Sequence, residues 1–594
     1  MQRTDASRDK SASFYIILKD TVKKHRYLFL LYIILHLVSA LAVIISAKIR
    51  SQLVDGILLT EQDMRPVLIL LLINIIVMFF SKYGIPVLAN IVDNIISEKI
   101  LLETEYKINK KKASIPFYNF EDLAVNDQIE LIKDAPVQLW MFLKGIVSII
   151  TVSISVIGIF FLLSRIDYLL ILLLVSLFIP IFYYSIKAGS SYYSTWEKTA
   201  ALRRYCNYQR NVLLDKQYAQ ERILFGFAPF FKERWEKEYN EVRQLSIKEE
   251  LRGSKKMQIS GILFCIYIAF LILFMIIKLS EGVISLGYAV SMISIIPSLF
   301  DNMIMTVSNE INTIVRAKKT IEALGTLYSI EDEEGDGIPE ENVTFSTIEF
   351  KNVSFKYPNA ENWILKDLCM KIENGNHYAI VGENGVGKST IIKLLLRLYR
   401  VTEGAILIDG QNINDIKKSR LMGLAAALFQ DFQRYYTNIA ENIGIGDIRN
   451  LNNMESIIHS AKRADFHECI CSEINSYDTV LGKMHENGVE FSGGEWQKLC
   501  IARLIMSPCS VKILDEPTAS MDPVFEHELY RDFNSIMQNK TTISISHRLA
   551  SCKNADIIYV IKNGHVIEFG SHEDLMENEN LYCKMYTTQK KMYA

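Results

Sequence analysis

Long apolar runs separated by short polar segments fill the first 310 residues of the chain, whereas the remainder has the shorter periodicities of a soluble protein. A helix needs roughly 20 apolar residues to cross the ~30 Å hydrocarbon core of a bilayer. Stretches that meet this requirement lie at 27–47, 67–88, 141–163, 168–186, 257–277 and 284–306. The pattern therefore predicts an all-α membrane domain with six spans over residues 27–330.

The segment 1–26 is predicted to be cytoplasmic. It is too long and too basic for a secretory signal, and no small-residue cleavage site follows it. Phe14, Ile17, Leu18 and Val22 recur at helical spacing. This face predicts a short elbow helix that lies in the membrane interface.

Loop charge assigns the orientation of the predicted spans, because cytoplasmic loops carry an excess of Lys and Arg. The segments between spans two and three and between spans four and five are rich in both residues. The turns at 164–167 and 278–281 are short and are therefore assigned to the outside. The predicted topology places both chain ends inside.

Both cytoplasmic segments have helical periodicity, which favours helices that continue beyond the bilayer. Each contains an aromatic cluster, at 115–121 and at 223–230. We interpret these clusters as tips that contact another part of the protein, with packing inside the membrane domain as the alternative.

Polar side chains within the spans are costly in lipid and commonly face a cavity or another helix. The candidates are His36, Asn74, Lys144, Asp301 and Asn302. Contact with a transported molecule and hydrogen bonding between helices are both compatible with the sequence.

An acidic, turn-rich segment at 331–344 predicts a linker. The run 348–357 alternates with period two, as a strand does, and strands alternating with helices follow it. This arrangement predicts an α/β domain over 345–594.

Composition and charge limit the kinds of partner that the chain is expected to bind. The chain of 594 residues has 65 basic and 67 acidic side chains, so no overall charge favours nucleic acid. Its nine cysteines are scattered, without the paired spacing of zinc sites. We interpret them as reduced or buried thiols.

The segment 382–389 fits the phosphate-loop pattern G-x-x-x-x-G-K-[ST] and lies between a strand-like and a helix-like run, as the motif requires. Its glycines let backbone amides curl around phosphate oxygens, and the helix N-terminus adds its positive dipole. Lys388 is placed to reach the outer phosphates, and the Ser389 hydroxyl is a ligand for Mg²⁺.

A second motif ends the mostly apolar run 511–516 with two carboxylates. Asp515 suits magnesium, and Glu516 suits the general base that orients and deprotonates the attacking water. The order of this motif after the phosphate loop indicates an ATP-hydrolysing site.

Between these motifs, a serine and two glycines directly before a predicted helix form another anion-binding segment. This segment resembles the signature motif of ATP-binding cassette (ABC) transporters, and the order of motifs fits that family over essentially the whole chain; the matching residues are Ser492, Gly493, Gly494, Gln497, Ala502 and Arg503. The resemblance implies a multi-domain fold, with an all-α six-helix transmembrane domain of the type I exporter (type IV) class fused to an α/β P-loop cassette.

The resemblance also assigns roles to single residues. Tyr357 matches the aromatic side chain that stacks on adenine, and Gln430 matches the glutamine that reaches magnesium and the attacking water. Asp522 matches a residue of the loop that crosses to the partner cassette, and His547 matches the histidine that contacts the γ-phosphate. The implied sites are catalytic Glu516, His547 and Gln430; metal-binding Ser389, Gln430 and Asp515; and nucleotide-binding Tyr357, Gly382, Asn384, Gly385, Gly387, Lys388, Ser389, Thr390, Ser492, Gly493, Gly494, Glu495 and Asp522.

Two departures from the family pattern stand out. Phe491 and Glu495 flank the signature core where the family usually has Leu and Gln, and Lys512 interrupts the apolar strand before Asp515. Neither change removes a phosphate-contacting or catalytic group. We expect a competent ATPase that is slower than one with the consensus residues.

In the family, the phosphate loop of one cassette faces the signature of another, so the resemblance implies obligatory dimerisation. A homodimer would have two complete sites, and a heterodimer with a degenerate partner is the alternative. The implied function is ATP-driven export across a bacterial plasma membrane by alternating access. An ATP-gated channel or regulator is a different class of function, which the intact Glu516 disfavours.

The cargo is less well defined. The segments 115–118, 222–226 and 492–498 are similar to bacterial exporters of lantibiotic and related bacteriocin peptides. A lipid or multidrug exporter has the same architecture. With 26 residues before the first span, no cysteine peptidase domain is expected, and a leader peptide would need a separate protease.

Overall fold

A computed structural model describes residues 17–59, 64–163, 183, 199–333, 338–358, 360–483, 486–515, 540–546 and 549–593. Its contacts divide the chain into two compact units. The first comprises Met1–Ala113 and Ala124–Ile330, and the second comprises Ser114–Leu123 and Glu331–Ala594.

The described part of the first unit is helical. Its helices are α1 (Arg26–Leu59), α2 (Arg65–Phe79), α3 (Ile85–Ser114), α4 (Leu123–Leu131), α5 (Ala135–Leu163), α6 (Ala200–Leu214), α7 (Ala219–Phe225), α8 (Ala228–Ser280) and α9 (Leu286–Tyr328). A π-helical turn, Phe80–Gly84, joins α2 to α3 just before Pro86, which lacks a backbone N–H. Such a turn accommodates the missing hydrogen bond and keeps the chain helical.

Helices long and apolar enough to cross a membrane occur at Arg26–Leu58, Arg65–Ser114 and Ala135–Leu162 among the described residues. They contain the first three predicted spans. The fifth lies within α8, and the sixth overlaps α9, which begins two residues after the predicted start. The fourth predicted span and the turn at 164–167 lie outside the described residues, apart from residue 183.

The outer faces of these helices are apolar. Leu68, Leu72 and Ile75 on α2 are 57, 60 and 58% exposed. Exposed aliphatic side chains in this number are typical of a surface covered by lipid. The chain is accordingly a membrane protein.

The predicted elbow falls on residues 17–24, which are helical, while Phe14 lies outside the described residues. Ile17, Leu18 and Val22 pack against the hydrophobic core around Tyr32 of the first unit. The apolar face of the elbow therefore contacts protein.

The polar candidates within the spans differ in their contacts, and Lys144 is the one, among those with described side chains, that pairs with another helix. Lys144 of α5 forms an ion pair with Asp93 of α3 at 2.7 Å, and the same carboxylate accepts a hydrogen bond from Trp140 Nε1 at 3.0 Å. The His36 ring lies 4.4 Å from that of Tyr32. The buried Oδ1 of Asn74 has no hydrogen-bond partner among the described residues, and the side chains of 301 and 302 lie outside them.

The charged segments that were predicted to be cytoplasmic are mainly helical where the structure describes them, in agreement with their periodicity. Helix α8 is continuous for 53 residues, a length of about 80 Å at 1.5 Å per residue. At the second tip, Ile223, Leu224 and Phe225 are 81, 76 and 71% exposed. That this tip docks on another surface stays a prediction.

The second unit contains two sheets. One is antiparallel with the order β2-β1-β4-β5, and the other is mainly parallel with the order β10-β9-β3-β8-β7-β6. The strands are β1 (Thr347–Phe355), β2 (Leu365–Glu373), β3 (His377–Gly382), β4 (Glu403–Ile408), β5 (Gln411–Asn412), β6 (Ala425–Leu428), β7 (Val511–Asp515), β8 (Thr541–Ile545), β9 (Ile557–Lys562) and β10 (His565–Gly570).

Helices of the second unit pack on the parallel sheet, whose central strands are buried along their whole length. They are α10 (Lys388–Leu395), α11 (Lys418–Leu424), α12 (Ile439–Gly444), α13 (Met454–Arg463), α14 (His467–Ser472), α15 (Gly493–Met506), α16 (His572–Glu577) and α17 (Leu581–Tyr593). One core lies between the two sheets and includes Phe350, Ile391 and Tyr399, and another surrounds Trp496 on α15.

The first predicted tip belongs to this second unit. Ser114 is held by the segment that follows α9: its carbonyl accepts from the Glu333 N–H at 2.7 Å, and its hydroxyl donates to Asp332 at 2.6 Å. Tyr118 packs against the core between the sheets. These contacts confirm the interpretation of 115–121 as an interaction surface.

Candidate nucleotide-binding site

The phosphate-loop segment connects the end of β3 to the start of α10. Gly385 and Gly387 have left-handed φ values of 79° and 100°, and nothing lies within 4 Å of the position that a Cβ on Gly385 would occupy. A Cβ on Gly387 would lie 2.7 Å from the Leu365 side chain. Glycine at these positions gives an open, concave run of backbone that suits a phosphate group.

Lys388 is held by the backbone of the phosphate-loop segment. Its side chain is buried, and its Nζ donates to the carbonyls of Gly382 and Glu383, each at 2.9 Å. Asn384 is exposed at the rim of the loop. The ammonium is thus held inside the loop, where it favours an anion.

The parallel sheet brings the other predicted groups to the same edge. Strand β8 pairs in parallel with both β3 and β7, and β7 pairs in parallel with β6. The carboxyl ends of these strands meet at one edge, which is where α/β sheets bind ligands. Asp515 ends β7, and Gln430 follows β6 by two residues.

The donor set at this edge fits magnesium. The Ser389 hydroxyl, the Asp515 carboxylate and the Gln430 amide supply the oxygen ligands that Mg²⁺ prefers. Glu516 directly follows Asp515 in the sequence. Glu516, Asp522 and His547 lie outside the described residues, so their roles stay predictions.

Tyr357, the predicted adenine-stacking residue, follows β1 and is held by two neighbours. Its hydroxyl shares a 3.0 Å hydrogen bond with Thr390 Oγ1 on α10, and its ring meets that of Tyr399 edge-to-face at 5.2 Å. Thr390 is buried. The structure therefore brings Thr390 to Tyr357.

The signature segment forms the N-terminus of α15. Ser492 caps the helix: its Oγ accepts from the Glu495 N–H at 3.3 Å, and its own N–H donates to Glu495 Oε2 at 2.7 Å. Partial burial raises the pKa of the Glu495 carboxyl, but the hydrogen bonds from Ser492 outweigh this effect and hold the pKa below its usual value. This reciprocal capping box presents Gly493 and Gly494 in the first turn.

Both departures at the signature have a structural role. The Phe491 ring packs edge-to-face against Phe466 at 5.5 Å and Trp496 at 6.1 Å, so it is a core residue. Glu495 completes the cap, and it also accepts from Cys469 Sγ at 3.5 Å. Neither side chain blocks the Ser-Gly-Gly core.

A hydrogen-bonded pair that the sequence did not indicate, Asn442 and Arg503, connects the Gln430 side of the site to the signature helix. Asn442, fully buried, donates to the carbonyls of Tyr435 and Asn438. Arg503 of α15 donates to the Asn442 carbonyl and to its Oδ1, each at 2.9 Å, and lies 4.9 Å from the Tyr435 ring centroid. The backbone that follows Gln430 is thus anchored to α15.

Lys512 is buried in β7, and its ammonium is hydrogen-bonded to the C-terminal end of α15. Its Nζ donates to the carbonyl of Leu504 at 2.8 Å and to that of Ser507. Both carbonyls lie at the C-terminal end of α15, where helices leave such groups unpaired. Burial lowers the pKa of the Lys512 ammonium to about 8.

Lys512→Met should remove a pH dependence of stability. In the unfolded chain the Lys pKa is near ~10.4, so between about pH 8 and 10 the unfolded state binds more protons and wild-type stability rises with pH. We expect the difference in thermal midpoint between the full-length wild type and Lys512→Met to shift in favour of the wild type as pH rises from about 7 to about 9.5. A difference that stays constant with pH would contradict this assignment.

Comparison with known proteins places these features in a family. The profile of the ABC transporter domain matches residues 365–519. The subtilin transport ATP-binding protein SpaT of Bacillus subtilis is 30% identical over 581 residues, which cover 96% of this chain and 92% of SpaT. An ATP-dependent lipid A-core flippase of Blochmanniella pennsylvanica is 30% identical over 450 residues, 75% of each chain.

The fold also matches a solved structure, that of a bacterial Atm1-family ABC exporter with ATP bound. The TM-score is 0.82 at 22% identity, and the match covers 96% of this chain and 98% of the other. A putative multidrug export protein of Bacillus subtilis, YgaD, is 38% identical over 242 residues, 41% of each chain.

Proposed function

The chain belongs to the ABC transporter family, among its exporters, and we propose that two such chains together use ATP hydrolysis to export a peptide across a bacterial plasma membrane. One observation carries the proposal: the phosphate loop, Gln430 and Asp515 meet at one sheet edge. The same chain contains helices long and apolar enough to cross a membrane.

We infer a task for each group at this edge from its position and chemistry, and for Glu516 from its place in the sequence after Asp515. Lys388 and the amides of the loop bind the outer phosphates, and the Ser389 hydroxyl with the Asp515 carboxylate would hold Mg²⁺. When bound, the ion neutralises charge that develops on the phosphates. Gln430 orients the attacking water, and Glu516 accepts its proton.

Dimerisation follows from the number of motifs. The chain has a single phosphate loop and a single signature segment. The proposed closed site combines the phosphate loop of one chain with the Ser492 end of α15 from a second chain, where the helix N-terminus faces the γ-phosphate. ATP binds the closed pair more tightly than the open pair, and this difference drives the conformational change.

A peptide is the cargo that we propose. The support is the relative named for subtilin transport, which is matched over nearly the whole chain, together with the local similarity at 115–118, 222–226 and 492–498. The relative named as a lipid A-core flippase supports a lipid as the second candidate. We propose six spans and cytoplasmic termini on the basis of the loop charges.

Inside-out membrane vesicles that contain either the wild type or Glu516→Gln separate these cargoes. We expect ATP-dependent accumulation of fluorescently labelled subtilin in wild-type vesicles and none with the variant. Accumulation of a labelled lipid A-core analogue alone would favour the flippase. Hydrolysis without accumulation of either probe would contradict both assignments and favour a channel or regulator.

A further inference from the structure

Three aromatic rings form a continuous row from the predicted adenine site to the first cytoplasmic tip. The ring of Tyr357 meets that of Tyr399 at 5.2 Å with an interplanar angle of 90°, and Tyr399 meets Phe117 at 5.8 Å and 86°. Both contacts are edge-to-face, a favourable geometry for aromatic pairs. Tyr399 is the only link between the other two rings among the ring contacts of the described residues.

The middle ring has little freedom to move independently. Tyr399 is 2% exposed and belongs to the core between the two sheets. It also meets Phe355 at 5.6 Å, and the Lys393 ammonium lies 5.8 Å from its ring. In a core packed at this density, a shift of one ring displaces its neighbour.

Each end of the row is attached to a functional element. At one end, the Tyr357 hydroxyl is hydrogen-bonded to that of Thr390 on α10, the helix that begins at Lys388. At the other end, Phe117 lies three residues after Ser114, the last residue of α3, and α3 continues the second predicted span. The row therefore runs, within the second unit, from the base side of the nucleotide site to the segment that directly follows α3 in the sequence.

We propose that Tyr399 is a positioning residue that relays occupancy of the base site at Tyr357 to the first cytoplasmic tip. The relay responds to the adenine base, because the base is the part of ATP that stacks on Tyr357 and fixes its ring. The loop at 382–389, the proposed phosphate site, adjoins the row only through the hydrogen bond between Thr390 and the Tyr357 hydroxyl among the described contacts, so a phosphate bound there does not hold the Tyr357 ring as a stacked base would. The inference rests on the proposed ATP-binding function and on the adenine-stacking role of Tyr357.

The ring of Tyr399 carries the relay, and its hydroxyl does not. The buried Tyr399 hydroxyl forms no hydrogen bond of full geometry among the described residues, and burial together with the nearby Glu121 carboxylate raises its pKa. Tyr399→Phe therefore keeps the ring contacts and should keep the relay. Tyr399→Leu keeps an apolar side chain in the core but removes both edge-to-face contacts.

Hydrogen–deuterium exchange of the full-length protein in detergent tests the relay. The probes are the non-hydrolysable analogue AMP-PNP with Mg²⁺ and, as a ligand without a base, tripolyphosphate with Mg²⁺. In the wild type and in Tyr399→Phe, we expect AMP-PNP to slow exchange at 115–121 by about fivefold or more, the lower range of allosteric coupling. We expect tripolyphosphate to slow exchange at 383–390 only.

In Tyr399→Leu, AMP-PNP should still protect 383–390 but should no longer protect 115–121. If Tyr399 only stabilised the fold, the slowing of exchange at 115–121 would not depend on whether the ligand carries a base. Protection of 115–121 by tripolyphosphate, or its persistence in Tyr399→Leu, would overturn the relay. Lack of protection at 383–390 in the wild type would instead overturn the proposed ATP-binding function.

Phe117→Ala provides a second variant in case Tyr399→Leu does not fold. Phe117 is 40% exposed, so its truncation leaves the core nearly intact. AMP-PNP should protect 383–390 of this variant normally and leave 115–121 unprotected. If AMP-PNP protected 115–121 of Phe117→Ala as strongly as it protects this segment of the wild type, the relay would be overturned.

Discussion

Glu516→Gln should reduce the ATPase rate by about 10²- to 10⁴-fold, the contribution typical of a general base, while ATP binding stays intact. Gln has the shape of Glu but cannot accept the proton of the attacking water. The phosphate loop and Lys388, which bind the nucleotide, are unchanged. Phosphate release and equilibrium binding of labelled ATP, measured on the same preparation, check both parts of the prediction.

The matched control for this variant is Glu577→Gln, an exposed carboxylate at the end of α16. It should hydrolyse ATP at the wild-type rate. If Glu516→Gln hydrolysed ATP as fast as this control, another group would have to be the base, and the assignment of Glu516 would be wrong.

Lys388→Ala should weaken ATP binding by about ten- to a hundredfold, since hydrogen bonds to charged groups contribute roughly 1.5–3 kcal/mol. Hydrolysis should fall further, because the ammonium also stabilises charge on the transferred phosphoryl group. The carbonyls of Gly382 and Glu383 hold the ammonium inside the loop, which limits the side-chain entropy that is lost when a phosphate binds. Titration with labelled ATP and phosphate release measure the two effects.

Lys462→Ala, an exposed residue on α13, is the control for Lys388→Ala. The two variants remove the same charge, so a shared loss of affinity would indicate a general effect of net charge. Wild-type affinity in Lys388→Ala would show that the loop binds phosphate through its amides alone.

Much of the cassette was predictable because its motifs are local. The phosphate loop depends on glycines and a lysine within eight consecutive residues, and it requires a strand before it and a helix after it. The strand predicted at 348–357 is observed at Thr347–Phe355, and the strand before the loop ends at Gly382. Parallel pairing then brings Gln430 and Asp515 to the same edge, as the resemblance implied.

The features that the sequence did not predict depend on contacts between distant segments. Phe117 and Tyr399 are 282 positions apart and meet in the fold, and an aromatic residue in an apolar run reads as ordinary core. Asn442 shares hydrogen bonds with four residues that the sequence cannot pair with it, namely Tyr435, Thr437, Asn438 and Arg503. Lys512 reads as an interruption of an apolar strand, because its partners are backbone carbonyls, which every residue has.

The central claim is that the ATP site is completed by a second chain. Its most direct test is cross-linking between two differently tagged copies, one with Asn384→Cys in the phosphate loop and one with Ser492→Cys in the signature segment, both also carrying Glu516→Gln. Both positions are exposed. Pairs in which only one of the two copies carries an introduced cysteine serve as controls for cross-links through the native thiols. We predict a cross-linked product that contains both tags, requires both cysteines and increases with Mg²⁺ and ATP. Absence of this product, or an equal yield without nucleotide, would contradict the account.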